Sequence, residues 1–129
     1  MKKILLLISS AFLFTLMLVG CSAKLQNSIT FNNMSASDLY INFRGSTISV
    51  PSGKVVSIKE IPHGTFTYAT TYSIPPEMTG TANGDVSGSV TINASTRIQV
   101  IFSSAVVGTS YTLYATISNS DDQSNLTGP

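Results

Sequence analysis

The chain has no tryptophan, one cysteine and one histidine in 129 residues. A single cysteine excludes an internal disulfide, so packing must supply the stability. One cysteine and one histidine do not furnish the four nitrogen or sulfur ligands of a structural zinc site. The tryptophan and cysteine pair that mark antibody-type domains are absent. Charge is also scarce, with seven Lys and Arg against six Asp and Glu. No basic stripe is present, which argues against nucleic acid as a partner. The electrostatic field is weak and steers charged partners little. Catalytic motifs are missing as well. Ser87, in Gly84-Asp85-Val86-Ser87-Gly88, lacks the Gly-x-Ser-x-Gly spacing of a nucleophile elbow. Gly53-Lys54 is followed by Val55 where a phosphate loop needs Ser or Thr, and Ile48 stands where it needs Gly. His63 sits in a Pro-His-Gly turn with no partnering nucleophile or acid signalled. Asn83, Asp85, Asp121 and Asp122 offer too few carboxylates for calcium, which takes six to eight oxygens. The expectation is a protein that is not an enzyme and carries no cofactor or metal.

What is present begins with a leader. Lys2 and Lys3 precede an apolar run from Ile4 to Val19, interrupted only by Ser9, Ser10 and Thr15. A basic start and a short apolar core describe a secretory signal peptide. The run is shorter than the ~20 residues that cross a bilayer, and no basic stop-transfer cluster follows it. A cleaved signal helix over residues 1–20 is therefore expected.

The leader ends in Leu18-Val19-Gly20-Cys21. This tetrapeptide resembles the lipobox of bacterial lipoproteins at all four positions. The resemblance implies cleavage before Cys21, a diacylglyceryl thioether on its sulfur, and a further acyl chain such as palmitate on its new amine. It also implies a cell membrane or outer-membrane location, periplasmic or surface-exposed. Ser22 is not the Asp that resembles a retention signal for the inner membrane, which favours the outer membrane in a host that has one. One acyl chain anchors a protein marginally, and several anchor it stably. Loss of Lys2 and Lys3 with the leader leaves five basic residues (Lys24, Arg44, Lys54, Lys59, Arg97) against six acidic ones, a net charge near −1. Residues 21–27 then form the lipidated cysteine and a short polar tether reaching roughly 10–20 Å.

From Ser28 the apolar residues recur with period two, the mark of half-buried strands. Ile29 and Phe31 share one face, then Leu39, Ile41 and Phe43, then Ile48 and Val50, then Val56 and Ile58. Arg44-Gly45-Ser46, Pro51-Ser52-Gly53-Lys54 and Ile61-Pro62-His63-Gly64 read as reversals. Thr65 to Ile74 is the clearest strand, with Phe66, Tyr68, Thr70, Tyr72 and Ile74 on one face. Pro75-Pro76 ends it, and Glu77 to Gly84 reads as the longest excursion from the sheets. Val86, Val90 and Ile92, then Ile98, Val100 and Phe102, then Tyr111, Leu113, Ala115 and Ile117 mark the later strands, with Ala105 to Thr109 a loop between the last two. Residues 119–129 read as a mobile polar tail.

Seven or eight short strands at about ten-residue spacing, with no amphipathic helix behind the leader, predict an all-β fold over residues 28–118. The expected architecture is an antiparallel β-sandwich, immunoglobulin-like or transthyretin-like. Val50-Pro51-Ser52-Gly53-Lys54 and Ile61-Pro62-His63-Gly64-Thr65 share a pattern, and the second, leading into Phe66-Thr67-Tyr68, is similar to the approach to later strands in surface modules of the PEGA or carboxypeptidase-regulatory type; two ordinary turns before strands account for the pattern better.

The remaining candidates are tyrosines. Tyr68, Tyr72 and Tyr111 fall on apolar faces and suit the core. Tyr40 and Tyr114 fall on polar faces. With Asn42 and Arg44 they form a candidate interaction surface. The expected function is a non-catalytic binding or structural role, as an accessory subunit or interaction module with a protein or glycan partner. The alternative is a cell-surface carbohydrate-binding module with a cleft at Glu77 to Asp85.

Overall fold

A computed structural model describes residues 26–120. The leader, Cys21 and the tail from Asp121 onward lie outside the described residues. Nine strands occupy the described chain: β1 (Ser28–Asn33), β2 (Leu39–Phe43), β3 (Ser46–Val50), β4 (Val55–Lys59), β5 (Gly64–Tyr72), β6 (Thr79–Gly84), β7 (Ser87–Ile92), β8 (Arg97–Val107) and β9 (Ser110–Asn119). They form a five-stranded sheet in the order β4-β1-β8-β9-β6 and a four-stranded sheet in the order β3-β2-β5-β7. The fold is an all-β sandwich.

Alternation builds the core. Ile29, Phe31, Ile98, Val100, Phe102, Leu113 and Ala115 of the larger sheet face Leu39, Ile41, Phe43, Tyr68, Val90 and Ile92 of the smaller one, and all are buried. Phe31 meets Phe43 edge-on across the interface, with ring centroids 6.3 Å apart. Tyr68 approaches Phe31 at the same separation. Such tilted and edge-on pairs add about 0.5–1.5 kcal/mol each beyond the area they bury.

Three details depart from the expectation. Thr79–Gly84 is not an excursion but strand β6, paired parallel to β9 from Thr79↔Ser110 to Gly84↔Ala115. The pairing depends on glycines. A Cβ on Gly84, whose φ is +81°, would lie 2.3 Å from the Ala115 carbonyl oxygen, and one on Gly80 would strike Ile74. Ala105–Val107 is not a loop either; it extends β8, which pairs with β9 as far as Val107↔Ser110. Gly108, at φ +61°, opens the tight turn that joins them. Finally, the sandwich is not antiparallel throughout, because β1 lies parallel to β8 as β6 does to β9.

Two buried asparagines lock the ends of the sandwich. Asn33, at the end of β1, donates from Nδ2 to the carbonyls of Ser37 and Val50 at 2.8 Å each. Its Oδ1 accepts from the Ser35 amide at 2.9 Å and the Ser35 hydroxyl at 2.6 Å. Both donors and both lone pairs of the amide are thereby used. At the other end, Asn27 donates to the carbonyls of Ile61 and Asn93 and accepts from the Ile61 amide. Two connections that no strand pairing holds are tied down this way.

Candidate functional site

The strand directions give the molecule two ends. Gln26 and Ser28 lie at one end, where their amides donate to Ala94 and Thr96 of the β7–β8 connection. The same end carries the β2–β3 turn at Arg44-Gly45 and the β4–β5 turn. The opposite end carries the β1–β2 loop, the β3–β4 turn, the β5–β6 connection and the β8–β9 turn.

Tyr40 and Asn42 point outward from β2. Tyr40 stands between Ser49 of β3 and Thr71 of β5, and Asn42 between Thr47 and Ala69. Tyr40 is 43% exposed. Arg44 lies in the turn after β2, at φ +55°, with its guanidinium carbon 5.4 Å from the centre of the Phe66 ring. That cation–π contact holds the side chain against the end of the sheet.

Tyr114 is elsewhere. It points outward from β9, between Ser103 of β8 and Asn83 of β6, and is 39% exposed. Leu39 and Ile41 beside Tyr40, and Leu113 and Ala115 beside Tyr114, face each other in the core. The two tyrosines therefore occupy opposite outer faces. Tyr40, Asn42 and Arg44 share one region, and Tyr114 does not join it. The single tyrosine patch expected from alternation is corrected on this point: period two gives the face of each strand, not the sheet to which the strand belongs.

Both outer faces are dressed with hydroxyls paired across strands. Thr30 and Ser57 approach to 2.9 Å, Thr65 and Thr91 to 3.2 Å, and Thr81 and Thr112 to 2.7 Å. These pairs solvate the faces with little charge. Glu77 to Asp85, the segment expected to line a carbohydrate cleft, is largely taken up by β6. His63 is exposed in the β4–β5 turn. Among the described residues no three His, Cys, Asp or Glu side chains come close enough to hold a metal ion, and no helix is long and apolar enough to cross a membrane.

Alternation does not reveal a second surface, at the end far from Gln26. Among the described residues the large exposed aliphatic side chains are Met34, Val55, Ile74, Val106 and Val107. All five fall at that end: Met34 follows β1, Val55 opens β4, Ile74 follows β5, and Val106 and Val107 close β8. Met34 is 68% exposed and Val107 78%. The loops that carry them are held firmly. The Met34 amide donates to the Phe102 carbonyl, the Ala36 amide to Ser104 Oγ, and Ser52 Oγ to the Ser35 carbonyl. Ser37 Oγ donates to the Ser73 carbonyl at 2.6 Å and lies 2.5 Å from the Tyr111 hydroxyl. The signal in sequence was Val106-Val107 beside Gly108, and Met34 isolated between Asn33 and Ser35.

Among the described residues, Tyr68 has a perturbed titration. Its hydroxyl donates to the Asp85 carbonyl, and burial, with the Asp85 charge second, pushes its pKa up to about 12. It is a structural tie between β5 and the β6–β7 connection, and its phenol stays protonated at neutral pH. No protein-family model matches the chain, and no curated protein matches it significantly.

Proposed function

We propose that the protein is a lipid-anchored β-sandwich of the bacterial cell envelope, held at the cell membrane or outer membrane by acyl chains on Cys21, with a non-catalytic role in binding or supporting a protein partner. Support for the anchor comes from the lipobox resemblance and the short tether between Cys21 and Gln26. Support for docking comes from one observation, the gathering of exposed aliphatic side chains at the end away from Gln26. A chain anchored ahead of Gln26 presents that end away from its own membrane. Scattered exposed aliphatics are ordinary, whereas a one-ended set rimmed by polar residues marks an interaction surface. A protein suits it better than a glycan, because the end is aliphatic and Tyr40 and Tyr114 each stand alone on their faces. The reading gives the firm loop network a purpose, since a preorganised surface loses less entropy on binding.

Site-specific photocrosslinking in intact cells tests this reading. A crosslinker at Val107 and another at Met34 should capture the same partner, and one at Ser95, near the tether, should not. Val106→Asp should reduce the capture from Met34. Equal capture from both ends, or capture unaffected by Val106→Asp, would remove the distal end as the docking surface.

A further inference from the structure

We infer that a polar groove on the outer face of the five-stranded sheet, next to Gln26, holds the phosphate of an anionic phospholipid headgroup and so sets how the domain sits on its membrane. This rests on the anchoring at Cys21 proposed above and concerns the end of the molecule opposite the docking surface.

The register of three strands builds the groove. Ser28 of β1 stands opposite Lys59 of β4 on one side and Arg97 of β8 on the other. Adjacent strands lie about 4.8 Å apart, so the two cations leave the backbone roughly 10 Å from each other with a hydroxyl between them. Both side chains are exposed and share the face opposite the buried Ile29 and Ile98. The next row on that face is Ser57, Thr30 and Gln99. Gln26 closes the near end, and Glu60 stands in the lining as the one carboxylate. Ser120, whose Oγ accepts from the Arg97 amide at 2.9 Å, borders the side of β8.

The chemistry fits a phosphate diester. Arginine offers a planar fork of donors, lysine a compact positive charge, and serine and threonine hydroxyls complete the oxygen shell. Among the described residues the other two cations do not share such a row: Arg44 lies over Phe66, and Lys54 is at the opposite end of the molecule. Position completes the case. Cys21 precedes Gln26 by five residues, which span at most about 18 Å when fully extended. Lys24 adds a third positive charge within that stretch of sequence. Acyl chains inserted at Cys21 would thus hold Lys59 and Arg97 within reach of the headgroup layer, where each cation gains about fivefold in local attraction to an anionic leaflet.

Lysine footprinting tests the proposal on the native acylated protein, extracted from membranes and placed in lipid nanodiscs. One set of discs is phosphatidylcholine and the other contains about one third phosphatidylglycerol. Amine acetylation is followed by mass spectrometry at Lys59 and at Lys54, the internal control. The expected result is Lys59 acetylation slowed about fivefold in anionic discs, with Lys54 unchanged, and the protection relieved in Arg97→Gln. Equal Lys59 rates in the two kinds of disc, with the protein firmly in both, would overturn the headgroup site and leave the anchor standing. Protection by inorganic phosphate in detergent but not by anionic discs would overturn it in favour of a soluble anion. Protein that does not partition into discs would overturn the anchor and the headgroup site together, an outcome distinct from the others.

Discussion

Asn33→Ala would cut the two ends of one network. The side chain is fully buried and takes part in four hydrogen bonds between 2.6 and 2.9 Å. A neutral hydrogen bond contributes about 1 kcal/mol net, and a buried group left without a partner costs about 1–3 kcal/mol. The Ser37 carbonyl keeps a weaker partner in Ser35 Oγ at 3.1 Å. The Ser35 amide, by contrast, loses Oδ1. The expected destabilisation is therefore about 3–5 kcal/mol. For a domain of this size that corresponds to a fall in melting temperature of roughly 15–30 °C. Urea unfolding of wild type, Asn33→Ala and the exposed control Asn83→Ala should show a large drop in midpoint for the first variant and a change within about 0.5 kcal/mol for the second. The same substitution should loosen the loop carrying Met34, seen as faster amide exchange from Met34 to Asp38. A loss below 1 kcal/mol for Asn33→Ala, with an unchanged denaturant slope, would refute the assignment of Asn33 as the lock of that end.

Other perturbations follow from the same structure. Gly84→Ala should destabilise by about 2–4 kcal/mol, from a left-handed backbone position and a Cβ driven into the Ala115 carbonyl. Amide exchange should show β6 opening while β1 and β8 hold; an unchanged melting temperature would contradict the close β6–β9 approach. Because burial raises the folded pKa of Tyr68 from 10.0 to about 12, its contribution to stability is intact below pH 10 and is lost as pH rises from 10 through about 12. Stability measured across that window should fall less steeply in Tyr68→Phe than in wild type; parallel curves would remove Tyr68 as the cause.

Strand alternation carried most of the fold, and its failures have physical reasons. Ile29 with Phe31, Leu39 with Ile41 and Phe43, and Ile98 with Val100 and Phe102 are buried as their period requires. β6 leaves no periodic signal in the sequence because Thr79-Gly80-Thr81-Ala82-Asn83-Gly84 buries no apolar face and joins the sheet through its backbone. The end of β8 was masked by Gly108, which marks a tight turn rather than a long loop. The parallel neighbours β1–β8 and β6–β9 join distant segments, and no local pattern encodes such pairings. Asn27 and Asn33 look like ordinary turn residues in the sequence. Their burial depends on carbonyls brought to them from Ile61, Asn93 and Val50, far along the chain. Alternation turns Tyr40 and Tyr114 outward, as the structure has them, but it does not encode that they stand on separate sheets. The reading of Cys21 rests on sequence alone, because the residue lies outside the described residues.

The anchor orders everything proposed about function, and intact mass spectrometry tests it most directly. Wild-type protein extracted from the membrane fraction should show a chain beginning at Cys21 carrying a diacylglyceryl group and a further acyl chain, and Cys21→Ala should lose both the acyl mass and cleavage at that point. A soluble wild-type product cut elsewhere and bearing no lipid would contradict the account.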